Sequence, residues 1–321
     1  MKRRTLLASS AAALAVPGIA RAQAAWPARP IRMVIPWPPG QATDLAGRLI
    51  AQRLSELLGQ PVVPENRPGA GGMIGTDAVA KAAPDGYTIL AASSGPVTIN
   101  PLLQRTAYDP ERDLAPVAQH SGSPYMLVVR KGFPASDLRA FIAAVKAAPG
   151  RYTFSSSGTG ATAHLIAEYF LRSAGLEAVH VPFQGSAPSM TALVAGQVDF
   201  SLETMAGTLP IVRQGQARGL AVSPERGTKL APELPPIATV IPGFDAKAWG
   251  GIMVPAATPR PIVERLAAAM EQVMTSPGIE ERFLQIYNEI DYRPADAFAR
   301  YLREQREKFS DIIRRANIRL E

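Results

Sequence analysis

Two short loops carry the residue types that capture an anion. The first reads Pro36-Trp37-Pro38-Pro39-Gly40-Gln41-Ala42-Thr43-Asp44, the second Ser155-Ser156-Ser157-Gly158-Thr159-Gly160-Ala161-Thr162-Ala163-His164. Each ends an apolar run and opens a helical pattern, and each places Gly and Ala-Thr just before the helix. The first turn of a helix presents backbone N–H groups without partners, at the positive end of the helix dipole. A carboxylate satisfies both. Gly40, Gly158 and Gly160 let an oxygen approach the backbone, while Thr43, Ser156, Ser157, Thr159 and Thr162 add hydroxyl donors. The dipole contributes only about 0.3–1 kcal/mol when exposed and roughly 2 when partly buried, so directed hydrogen bonds must supply the rest. Taken singly, Ser, Thr and Asp at a helix start are ordinary caps, the plainer reading of Asp44 and Thr162. Two such loops at equivalent points of two repeats are more specific, because they grip one ligand from both sides.

Residues for covalent or metal chemistry do not accompany them. The chain has no cysteine and three histidines, His120, His164 and His180, on distant segments without metal-ligand spacing. It has no Gly-x-Ser-x-Gly elbow. The Glu65-Asn66-Arg67-Pro68-Gly69-Ala70-Gly71-Gly72-Met73-Ile74-Gly75 run approaches a dinucleotide fingerprint, but its glycine spacing is wrong and it follows the second strand, not the first. It reads instead as a loop whose Asn66 and Arg67 tie its surroundings together. No catalytic residue, metal or cofactor is therefore expected. His164 is placed to touch a ligand from the second loop, although an early-helix histidine satisfied by its neighbours is the plainer reading.

The loops need a scaffold, and the surrounding periodicity supplies one. Strand 31–36, helix 43–58, strand 62–63, helix 76–83 and strand 87–92 alternate, and the same order restarts after Pro149-Gly150 with strands at 152–155, 178–182, 197–202 and 217–222. Two βαβαβ units predict an α/β fold of two Rossmann-like lobes, with ligand loops at the carboxyl ends of the strands. An apolar segment at 124–129 is the crossing and 249–254 the return, so 25–125 with 249–321 form one lobe and 126–248 the other, joined by a hinge around a central cleft. After Thr258-Pro259 the pattern reads as helices, the last at 294–315 with a stripe of Phe298, Leu302, Phe309, Ile312 and Ile313 that should pack on the first lobe.

Residues 1–24 have the order of a cleaved export signal. A basic head (Lys2, Arg3, Arg4) precedes an apolar run too short to cross a bilayer, then Ala-x-Ala exits at Ala20-Arg21-Ala22 or Ala22-Gln23-Ala24. Arg3-Arg4 before Leu6-Leu7 suits the twin-arginine route as well as the general secretory one. Cleavage removes Lys2, Arg3, Arg4 and Arg21, which lowers the formal net charge from +7 to +3 and leaves no basic stripe for nucleic acid. Without cysteine there is neither a disulfide nor a lipid-modified terminus, so a free periplasmic protein is expected. One cleft and one hinge suffice in a monomer.

At these loops the sequence resembles the Bug, or TctC, family of extracytoplasmic receptors of tripartite tricarboxylate transporters. The resemblance runs along almost the whole mature chain. It is carried by 36–44, 65–72, Ala83-Pro84-Asp85-Gly86-Tyr87-Thr88, Asn100-Pro101, Tyr108-Asp109-Pro110, 158–165, 179–188 and Gly196-Gln197-Val198-Asp199. It implies the type II periplasmic binding protein fold and closure of two lobes on a small carboxylic acid, which is then handed to membrane permease subunits. A sensory receptor passing its closed form to a membrane kinase would use the same fold. By position, the ligand carboxylate falls to Trp37, Gly40, Gln41, Ala42, Thr43 and Asp44 on the first loop, with water-mediated contacts. Opposite stand Ser156, Ser157, Thr159, Gly160, Thr162 and His164, then Gln184-Gly185-Ser186 and Glu203-Thr204; Ser94 completes the set. Three positions depart from the family pattern: Gln41 for a glycine, Trp37 for phenylalanine, and Glu203-Thr204 for an Asp-Asn-like pair. A wider indole covers an apolar or aromatic body, and an ionised Glu203 repels a second carboxylate or pairs with an ammonium group. These departures favour a monocarboxylate with an apolar body or an amino group over a citrate-like acid, with dicarboxylates remaining in the range.

Overall fold

A computed structural model describes residues 26–316 and 318, so the export signal read from 1–24 lies outside the described residues. The first lobe starts with β1 (Ile31–Ile35), α1 (Ala42–Leu58), β2 (Val62–Asn66), α2 (Met73–Ala80) and β3 (Thr88–Ser93). The short helices α3 (Asn100–Leu103) and α4 (Pro110–Asp113) lead into β4 (Leu114–Arg130). Next come α5 (Leu138–Lys146), β5 (Thr153–Ser156), α6 (Thr162–Ala174), β6 (Val179–Pro182), α7 (Ser186–Val194), β7 (Phe200–Thr204), α8 (Met205–Arg213) and β8 (Ala217–Val222). The chain returns through β9 (Lys247–Pro255) and finishes with α9 (Arg260–Met274), α10 (Ile279–Gln285), β10 (Glu289–Pro294) and α11 (Ala295–Ala316).

Strands such as β1, nearly all apolar and buried, need helices on both faces, which is the environment of a parallel sheet. β1 pairs in parallel with β2 and β3, and β5 with β6 and β7. The two sets are joined by β4, whose 17 residues serve two sheets. Up to Pro124, opposite Lys247, it pairs with β9; from Tyr125, opposite Thr204, it pairs with β7, and β8 flanks its second half. Ser93 at the end of β3 faces Gly250, three residues from Lys247. The carboxyl ends of the parallel strands in both sheets therefore converge on the Pro124–Tyr125 step from opposite sides. Strand-end loops of both lobes meet there, as a central cleft requires.

Two features differ from the sequence reading. β10 is an added strand, antiparallel to the first half of β4, within a region read as all helix. Its Glu-Ile-Asp-Tyr-Arg-Pro sequence alternates polar and apolar residues, a strand signal that the helical reading of this region passed over. The last helix does not pack on the first lobe alone. Phe298 meets Trp249 edge-on at 5.1 Å in the first lobe, whereas Phe309 and Ile312 join the core of Phe170 and Phe244 in the second. Lys308 reinforces this end by donating to the Asp245 carbonyl and lying 4.8 Å from the centre of the Tyr169 ring. With 22 residues, α11 is about 33 Å long, more than one lobe can cover. Phe309→Ala should cost about 3–5 kcal/mol in urea unfolding, the range for an aromatic deleted from a packed core; a cost below about 1 kcal/mol would show that the helix end is not part of that core. Among the described residues no helix is long and apolar enough to cross a membrane.

Candidate functional site

The first-lobe loop is shaped from within by Asp44. This residue, almost wholly buried, accepts the Gly40 N–H at 2.8 Å, Arg48 Nε at 2.9 Å and Asn66 Nδ2 at 2.7 Å. Burial raises the carboxyl pKa, but the donors from Arg48, Asn66 and Gly40 outweigh it and hold the group below its ordinary 3.8. Asn66 also donates to the Trp37 carbonyl at 2.9 Å, and Arg48 donates to Asn66 Oδ1 at 2.7 Å. Both ends of the loop are thereby pinned to β2 and α1. The carboxylate of Asp44 is occupied with its own chain, and its role is to form the loop. Gln41 caps α1 without a side-chain hydrogen bond, so no side chain of the cap covers the first-turn N–H groups at Ala42 and Thr43. Gly40 supplies the turn, with φ +85° and open space where a side chain would stand.

Trp37 is half-buried and anchored, its Nε1–H donating to Ser93 Oγ at 2.8 Å. Its ring lies against Gly95, where a Cβ would come within 3.4 Å. Ser94, next to that anchor, is buried at the start of the helix leaving β3. The glycine run below is a packing device: a Cβ at Gly75 would stand 2.6 Å from the Arg67 carbonyl and 2.9 Å from Pro36 Cα. Asn100 holds the same run by donating to the Gly71 carbonyl at 2.9 Å.

The second-lobe loop is braced by imidazoles. Gly160 donates its N–H to His164 Nδ1 at 3.1 Å, and His180 Nε2 lies 2.7 Å from Ser156 Oγ, which also accepts the Gly158 N–H at 3.2 Å. The two rings stack 3.8 Å apart, nearly parallel, against Phe154. Ser156 and His164 thus lie beneath the loop, while Thr159 is exposed and Ala161 starts α6 without a side-chain cap. Gly185 ties the next loop in by donating to the Ser157 carbonyl at 3.2 Å, and Gln184 beside it is exposed.

Burial lowers the pKa of His164 to about 3, with the neighbouring His180 adding to the effect, and lowers His180 to about 4 and His120 to about 3. Unfolded histidine titrates near 6.5, so between that value and the folded ones the unfolded chain binds more protons. Their contribution to stability is full above about pH 6.5 and falls as pH drops towards 3–4. Urea unfolding followed from pH 7 to pH 4.5 should accordingly show a shallower loss for His120→Leu than for the unaltered protein. Equal slopes would mean that His120 is charged in the folded state.

Glu203 and Thr204 close β7 at the cleft. Glu203 is 2% exposed, and burial raises its carboxyl above the ordinary 4.5, with hydrogen bonding from Thr204 and Ser157 pulling the other way. The ionised Glu203 expected from the sequence is therefore disfavoured. Tyr125 joins the same region, its phenol beside Thr162 and within the field of Glu203; burial first, then that carboxyl, raises its pKa. Sequence reasoning passed over Tyr125 because it looks like one more apolar residue of the crossing strand. Its position immediately after Pro124 was the available signal.

The sequence matches the family described as tripartite tricarboxylate transporter family receptor, TctC, over residues 46–318. Protein BugT of Bordetella pertussis is 38% identical over 88% of this chain and 88% of its own. Among solved structures, R. palustris Rpa4515 with adipate is 31% identical with a TM-score of 0.82, covering 92% of this chain and 99% of that one. MatC from Rhodopseudomonas palustris with bound malate is 30% identical with a TM-score of 0.74, covering 89% and 99%. The family match over most of the chain, with relatives of this identity along nearly their whole length, shows the family: the chain belongs to the TctC, or Bug-type, solute-binding receptors.

Proposed function

We propose that this protein is a periplasmic receptor that captures a small carboxylic acid by closing its lobes and delivers it to the permease subunits of a tripartite transporter. The observation that carries this reading is the pair of helix starts, α1 and α6, both without side-chain caps and both at strand ends that converge on one step of β4. Residues 25–125 with 249–321 act as one lobe and 126–248 as the other, hinged where β4 exchanges partners. The ligand carboxylate bridges the first-turn N–H groups of α1 and meets Ser157, Thr159 and Thr162 when the lobes close. The adipate and malate named with two structural relatives support a carboxylate of this size.

Closure on such a ligand stabilises the folded chain by about 2.7 kcal/mol at a hundredfold excess over Kd. The test is a thermal-shift screen of aliphatic dicarboxylates, hydroxy acids, amino acids and aromatic acids on the mature monomer, with native mass spectrometry of the freshly purified protein. A shift by at least one class, or a co-purified acid, is expected. No shift by any class together with an empty protein would sink the proposal.

A further inference from the structure

Glu203 holds an unusual position within the receptor site. Among the described residues no ion pair includes it; its neighbours in the second lobe pair with one another, as in Arg130–Asp199 and Arg172–Glu168. Its Oε1 accepts the Thr204 N–H at 2.8 Å, whereas Oε2 is buried and, among the described residues, has no donor in full hydrogen-bond geometry, Ser157 standing close to the carboxyl without completing one. Ser186 Oγ, at the first residue of α7, is likewise buried without a partner. The two groups approach one place: a Cβ added at Gly207 would stand 2.5 Å from Ser186 Oγ and 3.6 Å from Glu203 Cγ. Ser157 of the second anion loop bears on the same carboxyl, and Tyr125 stands beside it.

An ionised carboxylate buried without a cation costs several kcal/mol, and each of its oxygens demands donors. The neutral acid needs less, since one oxygen accepts and the other carries a proton to donate. With Oε1 accepting from Thr204, the proton belongs on Oε2, the oxygen that lacks a donor. We propose that Glu203 is a neutral hydrogen-bond donor which, with Ser186, receives the second carboxylate of a bound dicarboxylic acid and makes its binding weaken as pH rises. This rests on the reading of the site as a carboxylate receptor, and it reverses the preference for an ammonium group that an ionised Glu203 implied.

The raised pKa of Glu203 agrees. Tyr125 on β4, which lies within the field of Glu203, is neutral at pH 7 by the direction of its shift, as is His164 on α6, which is stacked on His180. Arg130, the last residue of β4, and Asp199, just before β7, pair with each other at 2.9 Å at the far ends of the strands. α7 carries no ionisable residue, and Arg213 of α8 is turned to the Leu230 carbonyl. Lys247, at the crossing, is paired with Asp291 at 3.2 Å.

Two measurements on the full mature chain test the proposal. In calorimetric titration with adipate, affinity should fall about tenfold per pH unit above the Glu203 pKa, while Glu203→Gln, which keeps a donor, stays within about threefold of the low-pH value at every pH. Hexanoate, with one carboxylate, should show no such pH dependence in either protein. Separately, the infrared difference between the unaltered protein and Glu203→Gln at pH 7 should contain a protonated-carboxyl band that shifts in D2O, whether or not any ligand binds. Absence of the band, or loss of adipate binding in Glu203→Gln at all pH values, overturns the donor role while leaving the receptor reading intact. A band without binding of any carboxylate overturns the receptor reading, and the ligand contact with it.

Discussion

Asp44→Ala is expected to lose carboxylate binding by at least about a hundredfold while the protein still folds, at a cost of about 2–4 kcal/mol in stability. A single buried carboxylate joins the Gly40 N–H, Arg48 and Asn66, and Asn66 in turn holds the Trp37 carbonyl. Removing it takes the acceptor from the Gly40 N–H, Arg48 Nε and Asn66 Nδ2 and frees the Gly40 turn that aims the first N–H groups of α1. Arg48→Ala should be far milder, because that side chain is 46% exposed and its charge is screened. Calorimetric titration and urea unfolding on both variants check this, and unimpaired binding by Asp44→Ala would remove the loop's geometry from the recognition of the ligand. The acid limb follows with a definite sign. Because the folded Asp44 pKa lies below the ordinary 3.8, its stabilisation is complete above that value and disappears as pH falls through the lower folded one. The variant should lack this part of the acid loss.

Gly40→Trp should abolish ligand stabilisation with little change in the unliganded melting temperature. A Cβ at this exposed position meets no atom within 4 Å, and the strain at φ +85° costs about 1–2 kcal/mol. The same indole stands over the start of α1 and excludes the ligand. Gly160→Trp makes the matching test on the second loop, where φ is +75° and the N–H is already given to His164. Affinity unchanged in both variants would take the two loops out of the site.

The scaffold was legible wherever local pattern decides structure. Apolar runs bounded by Gly and Pro announced β1 to β3 and β5 to β8, and the Gly and Ala-Thr before α1 and α6 announced the helix starts, although not that these lack side-chain caps. What stayed hidden depends on burial, which residue types do not declare. Asp44 reads equally as a cap, a ligand contact or a loop brace until Arg48 and Asn66 are seen around it. Glu203 reads as a charge until its surroundings exclude water. His164 reads as a ligand contact or as a histidine satisfied by its neighbours until its Nδ1 is seen to accept the Gly160 N–H. The reach of α11 was missed because an apolar stripe reports that a helix packs, and says nothing about how many partners lie along its length.

The exchange of partners along β4 also orders the birth of the molecule. Everything that the second sheet needs, from Tyr125 to Val222, is contiguous in the chain and rich in short-range connections. The first sheet is incomplete until β9 and β10 have been made, and α11 comes last of all. Contacts between distant segments form slowly, and domains assemble as units during synthesis. The second lobe should therefore be the early folding unit, and the final helix the clasp that completes both.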